Sequence, residues 1–188
     1  MDNITLTMNI AWSVLSVVAQ ILCVGILLSL YVPKFKNTVF SRFFKTHGLT
    51  VAFLVALLAT VGSLIYSDII GYEPCKLCWF QRIFIYPEVI ILGMALWRKE
   101  YVVKLYGIVL AIIGGLIALF HYVGQLGWNP FGLECLVIGY SSSCAKNFVL
   151  QFGYITIPLM AVSACALIAL SLWMSLRKET TVDESNLS

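Results

Sequence analysis

Residues 8–32, MNIAWSVLSVVAQILCVGILLSLYV, run for 25 positions without a charged side chain. A helix crossing the hydrocarbon core needs about 20 mostly apolar residues, so this stretch can span a bilayer alone. Four more stretches of that kind follow: Gly48 to Ser67, Cys78 to Trp97, Leu105 to Val123 and Tyr154 to Leu176. The third is the least regular, with Arg82 near its start and Pro87-Glu88 inside it. None shows the alternation of a transmembrane strand, and a bilayer offers the backbone no hydrogen-bond partners, so all five are predicted helices. The whole composition agrees. The 188 residues are 61% hydrophobic and 11% charged, against roughly 45–50% and about 25% in a soluble domain. The predicted fold class is an all-α, polytopic membrane helical bundle. A cleaved signal peptide is the other reading of the first stretch. Its front end, Met-Asp-Asn-Ile, has an acid and no base, and its apolar run exceeds an h-region, so a retained helix is expected.

Orientation follows from Lys and Arg, which are enriched in short cytoplasmic loops. Lys34, Lys36, Arg42 and Lys45 follow the first span, Arg98, Lys99 and Lys104 the third, and Arg177 and Lys178 the fifth, nine of the twelve basic residues. The opposite side has only Lys76, Arg82 and Lys146. The C-terminus is therefore expected inside, and the loops Asp68 to Cys78 and Gly124 to Gln151 outside. The net charge of +3 is scattered along the chain, which gives no basic face for nucleic acid.

Those two loops hold four of the six cysteines. Cys23 and Cys165 lie mid-span, where a thiol is a small apolar side chain. Cys75 and Cys78 form a Cys-x-x-Cys pair, and Cys135 and Cys144 a wider one. An oxidising compartment lets disulfides persist. A zinc centre would want a second knuckle, which the wider spacing does not give, and no metal is expected. A c-type haem would want His after Cys78, where Trp79 stands. Two inert staples remain possible on the wider pair alone. The tight pair favours redox chemistry, because such rings are readily reduced and a helix N-terminus stabilises a thiolate. Arg82, four residues past Cys78, falls on the same face one turn deeper. It either snorkels to the headgroups or holds a thiolate near a lipid-soluble electron acceptor such as a quinone. Glu88 lies about 15 Å along the helix from Cys78, too far for a direct proton donor, and is read as packing or an ion pair. Trp79 is read either as part of an interfacial aromatic belt or as a surface for the quinone.

Pro74-Cys75-Lys76-Leu77-Cys78-Trp79-Phe80-Gln81-Arg82-Ile83, Tyr86-Pro87, the pair Cys135 and Cys144, and Gly153-Tyr154-Ile155-Thr156-Ile157-Pro158 carry a family likeness. Over about Gly48 to Leu176 the chain resembles the DsbB membrane thiol-disulfide oxidoreductases, most closely the short BdbC-type members. The resemblance implies a four-helix core with a quinone, menaquinone or ubiquinone, beside the Cys-x-x-Cys pair. It implies that Cys75 and Cys78 pass electrons to the membrane quinone pool, Cys78 being the thiolate in contact, with Arg82 and His121 as quinone-side residues. It further implies that Cys135 and Cys144 oxidise an extracytoplasmic DsbA- or BdbD-like thiol oxidase, Cys135 forming the mixed disulfide, in a bacterial cytoplasmic membrane. The expected organisation is an extra transmembrane helix with a basic loop (1–47), a redox core (48–176) and a polar cytoplasmic tail (177–188). The first span departs from the four-helix pattern. Two alternatives stand beside this reading: a vitamin K epoxide reductase-like protein, although there the loop pair comes first in the chain, and a disulfide-stapled assembly protein without enzymatic activity.

Overall fold

The computed structural model describes residues 3–36, 38–98, 102–127 and 148–186. Five helices account for nearly all of them: α1 (Asn3–Tyr31), α2 (Val39–Leu64), α3 (Lys76–Arg98), α4 (Val103–Gln125) and α5 (Ile157–Asn186). Each contains a stretch long and apolar enough to cross a membrane, and there is no strand among the described residues. The chain is a multi-pass membrane protein.

Burial runs opposite to that of a water-soluble bundle. Large apolar side chains such as Ile21, Ile90 and Leu116 point outward, while Ala52, Ala56, Ala111 and Ala118 are buried. Lipid tails are as apolar as leucine, so the helices gain by close approach of small residues rather than by hiding large ones. Gly48 shows this most clearly, since a Cβ there would collide with the Ser171 carbonyl oxygen. A core of Ala52, Ala56, Leu92, Ile108, Ala111, Ile168 and Leu172 ties α2, α3, α4 and α5 into one unit. Helix α1 packs on its flank, mainly against α5 and only sparsely against α2. Three polar contacts fix its position: Ser16 Oγ donates to Ser163 Oγ at 3.3 Å, Gln20 Nε2 to the same oxygen at 3.1 Å, and the Tyr154 hydroxyl to Gln20 Oε1 at 3.2 Å. In lipid such interhelical hydrogen bonds act as positional pins.

The predicted spans are all present, and their ends differ where the backbone can satisfy itself without the bilayer. Gly48 lies inside α2, which begins nine residues earlier, with the Thr38 hydroxyl accepting from the Ser41 N–H as an N-cap. Arg42 and Lys45, read as loop residues, therefore ride on a helix. At its other end α2 runs into a π turn, Ile65–Ile69, which leaves Tyr66 buried. The Tyr66 ring stacks on Tyr72 at 5.9 Å, and Tyr72 on Phe148 at 4.8 Å. The connection to α3 turns at Gly71, whose φ of +80° suits a residue without a Cβ. Helix α5 starts with Pro158 in its first turn, where no backbone donor is lost, and continues past Leu176 to Asn186.

Glu88 is fully buried in α3, and neither carboxylate oxygen has a hydrogen-bond partner among the described residues. Leaving such a group unsatisfied costs about 1–3 kcal/mol. Glu88→Leu is accordingly expected to raise stability by about that much, read as a higher unfolding midpoint in detergent, with turnover unchanged.

Candidate functional site

Helix α3 begins at Lys76, which makes Cys75 its N-cap residue. The Cys75 sulfur takes the capping role, accepting from the Cys78 N–H at 3.4 Å. One helical turn separates the two thiols, so the same geometry brings their sulfurs to 3.1 Å. The next turn on this face carries Gln81 and Arg82. Helix α4 then supplies His121, 46 residues away in sequence, whose Nε2 lies 3.8 Å from the Cys75 sulfur. Its Nδ1 lies 3.2 Å from Gln81 Nε2. Both Gln81 and His121 are buried, so this contact is dry.

Arg82 does not reach away from the bundle. Its Nε donates to Ser63 Oγ at 2.9 Å and its Nη2 to the Ser63 carbonyl at 3.0 Å. Tyr86 supports the same hydroxyl at 3.3 Å. Two of the five guanidinium N–H groups are thus used, leaving three without a partner among the described residues. Trp79 is 55% exposed and lies against the guanidinium, 5.1 Å from ring centroid to Cζ.

A cavity of about 330 Å³ opens beside these residues. Cys75, Cys78, Gln81, Arg82 and His121 line one end, and the remainder is walled mostly by apolar residues of α1, α2 and α5. Trp79 is not on its wall. A planar, carbonyl-bearing head with an apolar tail fits such a lining, since ligand pockets of this kind are largely apolar with a few convergent polar groups. Cys75, Cys78 and His121 also present three ligand atoms within 4.8 Å of one another, close enough to hold a soft metal ion.

The two thiols are not equivalent. The pKa of Cys75 is pushed up to about 12, chiefly by its hydrogen bond with Cys78 and then by burial, while His121 pulls it down. In the reduced pair, Cys75 therefore keeps its proton at neutral pH.

Of the residues singled out in the sequence, Cys75, Cys78, Arg82 and His121 meet at the polar end of the cavity, and Trp79 meets Arg82 behind it. Cys135 and Cys144 lie outside the described residues. Gln81 and Tyr86 entered only as parts of the motifs that carry the likeness, with no role given, and Ser63 did not enter at all. Gln81 follows Cys78 by three positions, the spacing of one helix face, a signal that could have marked it.

A cysteine pair capping a helix at the mouth of an intramembrane cavity, in a five-span bundle, defines a membrane disulfide oxidoreductase. Comparison with known proteins agrees. The family model for disulfide bond formation protein DsbB matches residues 45–176. Disulfide bond formation protein C of Bacillus subtilis is 42% identical over 120 residues, 64% of this chain and 86% of that protein. The SPbeta prophage-derived disulfide bond formation protein B of the same species is 42% identical over 128 residues, 68% and 84% of the two chains. A probable disulfide formation protein of Chlamydia caviae is 36% identical over 139 residues, 73% and 98%. No solved structure matches the chain. The chain belongs to the DsbB family of disulfide bond formation proteins. Helix α1 lies outside the residues that the family model matches.

Proposed function

We propose that this protein reoxidises an extracytoplasmic, DsbA-like thiol oxidase and passes the electrons to a membrane quinone. The observation that carries the reading is the Cys75–Cys78 pair opening into an apolar cavity with Arg82 held at its polar end. The scarcity of Lys and Arg around the cysteine loops supports their placement outside the cytoplasmic membrane.

In this reading a thiolate of the partner attacks the Cys135–Cys144 disulfide at Cys135, and the partner's second thiol resolves the mixed disulfide. The partner leaves oxidised, with Cys135 and Cys144 as thiols. These then reduce the Cys75–Cys78 disulfide by a second exchange, in which each sulfur–sulfur bond broken is replaced by one formed. Closing the Cys75–Cys78 disulfide again releases two electrons and two protons. A bound quinone supplies the two-electron, two-proton sink. The protein's own residues make the last step selective: Cys75 holds its proton, Cys78 supplies the thiolate, Arg82 offers N–H donors to a carbonyl oxygen, and the apolar wall excludes water.

The test is reconstitution of the full chain in vesicles containing menaquinone or ubiquinone, with a reduced thioredoxin-fold oxidase added and quinone absorbance followed. Turnover is expected from the untreated protein and none after it has been reduced and its thiols blocked with maleimide. Arg82→Leu is expected to raise the quinone KM by about 10- to 100-fold, the loss of one charge-assisted hydrogen bond. An unchanged KM would remove Arg82 from the site.

A further inference from the structure

Helix α1 is the part of the chain that the family match leaves out, yet it is not a bystander at the site. Trp12, Leu15, Ser16, Val18, Ala19 and Leu22 all line the cavity that Cys78 and Arg82 close at the other end. The facing wall of α2 comes from Val55, Leu58, Ala59 and Gly62. Two ring-over-glycine contacts join the helices. At one, the Trp12 ring lies over Gly62, where a Cβ would come within 3.2 Å of three ring atoms. At the other, Phe40 lies over Gly25, where a Cβ would stand 3.0 Å from its ring. Between the Trp12 contact and the cluster that Val55 shares with Leu22, residues of both helices line the cavity and are small or open to lipid: Ala19 and Ala59 are half-buried, while Leu15, Val18 and Leu58 are 44%, 46% and 45% exposed. The cavity therefore has a lateral window onto the bilayer, framed by α1 and α2.

We infer that α1 is a specificity wall for the electron acceptor, with the window between α1 and α2 passing the acceptor's isoprenoid tail into the membrane. The inference rests on the quinone reading above and adds the path of the tail. Two observations select this occupant. The volume, about 330 Å³, is at the small end for a ligand pocket, so a long-tailed molecule whose head reaches Cys78 must leave part of itself outside. The exit is lined by apolar side chains and opens to lipid, which suits a hydrocarbon chain and no polar ligand. Trp12 sits at the polar end of this frame, because Gly62 beneath it precedes Ser63, the residue that anchors Arg82. The wall that selects the tail is thus continuous with the machinery that orients the head.

The experiment uses the full-length protein in lipid nanodiscs and a quinone carrying a photoreactive diazirine on its second isoprene unit. After irradiation and peptide mapping, adducts are expected on α1 between Trp12 and Leu22 and on α2 between Val55 and Ala59, suppressed by excess unlabelled quinone. Adducts confined to α3, α4 and α5, or α1 adducts that unlabelled quinone does not suppress, would overturn the inference; the second result would mean that ordinary lipid fills the window. In parallel, Ala19→Trp narrows the window. It is expected to raise the KM for a long-tailed quinone by about tenfold, worth 1.4 kcal/mol, and to leave that for a tail-less quinone within about twofold. Equal effects on both quinones, or none on either, would also overturn it. If the parent protein reduces quinone but its adducts avoid α1, this inference fails alone. If the parent protein neither reduces nor is labelled by quinone, the proposed function fails with it.

Discussion

Cys78→Ser is expected to abolish quinone reduction, with kcat falling by at least about a thousandfold, as when a reacting nucleophile is removed. The geometry separates this effect from misfolding. The capping bond that starts α3 runs from the Cys78 backbone N–H to the Cys75 sulfur, so it survives the change of side chain. What is lost is the second sulfur of the pair beside the cavity, 3.1 Å from that of Cys75. A serine hydroxyl cannot close a disulfide with Cys75 or release electrons. The choice of reductant makes the result specific. Dithiothreitol can reduce the Cys75–Cys78 pair directly, whereas a protein partner needs the pair at Cys135 and Cys144. The double change Cys135→Ser, Cys144→Ser is therefore expected to lose turnover with the protein partner and keep it with dithiothreitol. Cys78→Ser should lose both. Retained turnover with dithiothreitol in Cys78→Ser would place the electron exit elsewhere.

Much of this architecture is legible in the amino-acid order, because a bilayer leaves few ways to satisfy a backbone. Every apolar run of the required length became a helix. The ends were less legible. A helix bonds internally in either medium, so α2 extends back to Val39 although Arg42 and Lys45 mark that stretch as polar. Its π turn at Ile65–Ile69 has no local signature either, being coupled to the stacking of Tyr66 on Tyr72 and Phe148. At the site, Cys75, Cys78 and Arg82 could be read together because one helix face carries them. The spacing of Gln81 from Cys78 puts it on the same helix face, but nothing gives that amide a role until α4 brings His121 against it. Nor does α1 announce its place. Its charge-free sequence says that it crosses the membrane, and the hydrogen bonds of Ser16 and Gln20 to Ser163 and Tyr154 say where it stands.

The pairing of Gln81 with His121 leads to the second large effect. A glutamine amide nitrogen is a donor only, so with Gln81 Nε2 at 3.2 Å from His121 Nδ1 the ring nitrogen accepts. The ring N–H is then on Nε2, facing the Cys75 sulfur at 3.8 Å. Gln81 is thus a positioning residue: it selects the tautomer that makes His121 a donor to Cys75, and that donor moderates how far the Cys75 pKa is raised. His121→Phe is expected to lower kcat by about a hundredfold, the low end for loss of a positioned acid–base group. Gln81→Leu leaves the ring present but free to choose either tautomer, so about a tenfold loss is expected, a smaller share of the same effect. Because Gln81 acts through the ring, the double variant should be no slower than His121→Phe alone, a coupling that a double-mutant cycle measures directly. Thiol alkylation supplies a readout that packing damage would not give. In the reduced parent protein Cys78 should be alkylated before Cys75, which is the more buried of the two and whose pKa is raised. Both single variants should widen that gap, because losing the donor removes the influence that lowers the Cys75 pKa. Additive losses in the cycle, or a gap that stays unchanged, would reduce Gln81 to a packing residue and leave the tautomer of His121 to be set by something else.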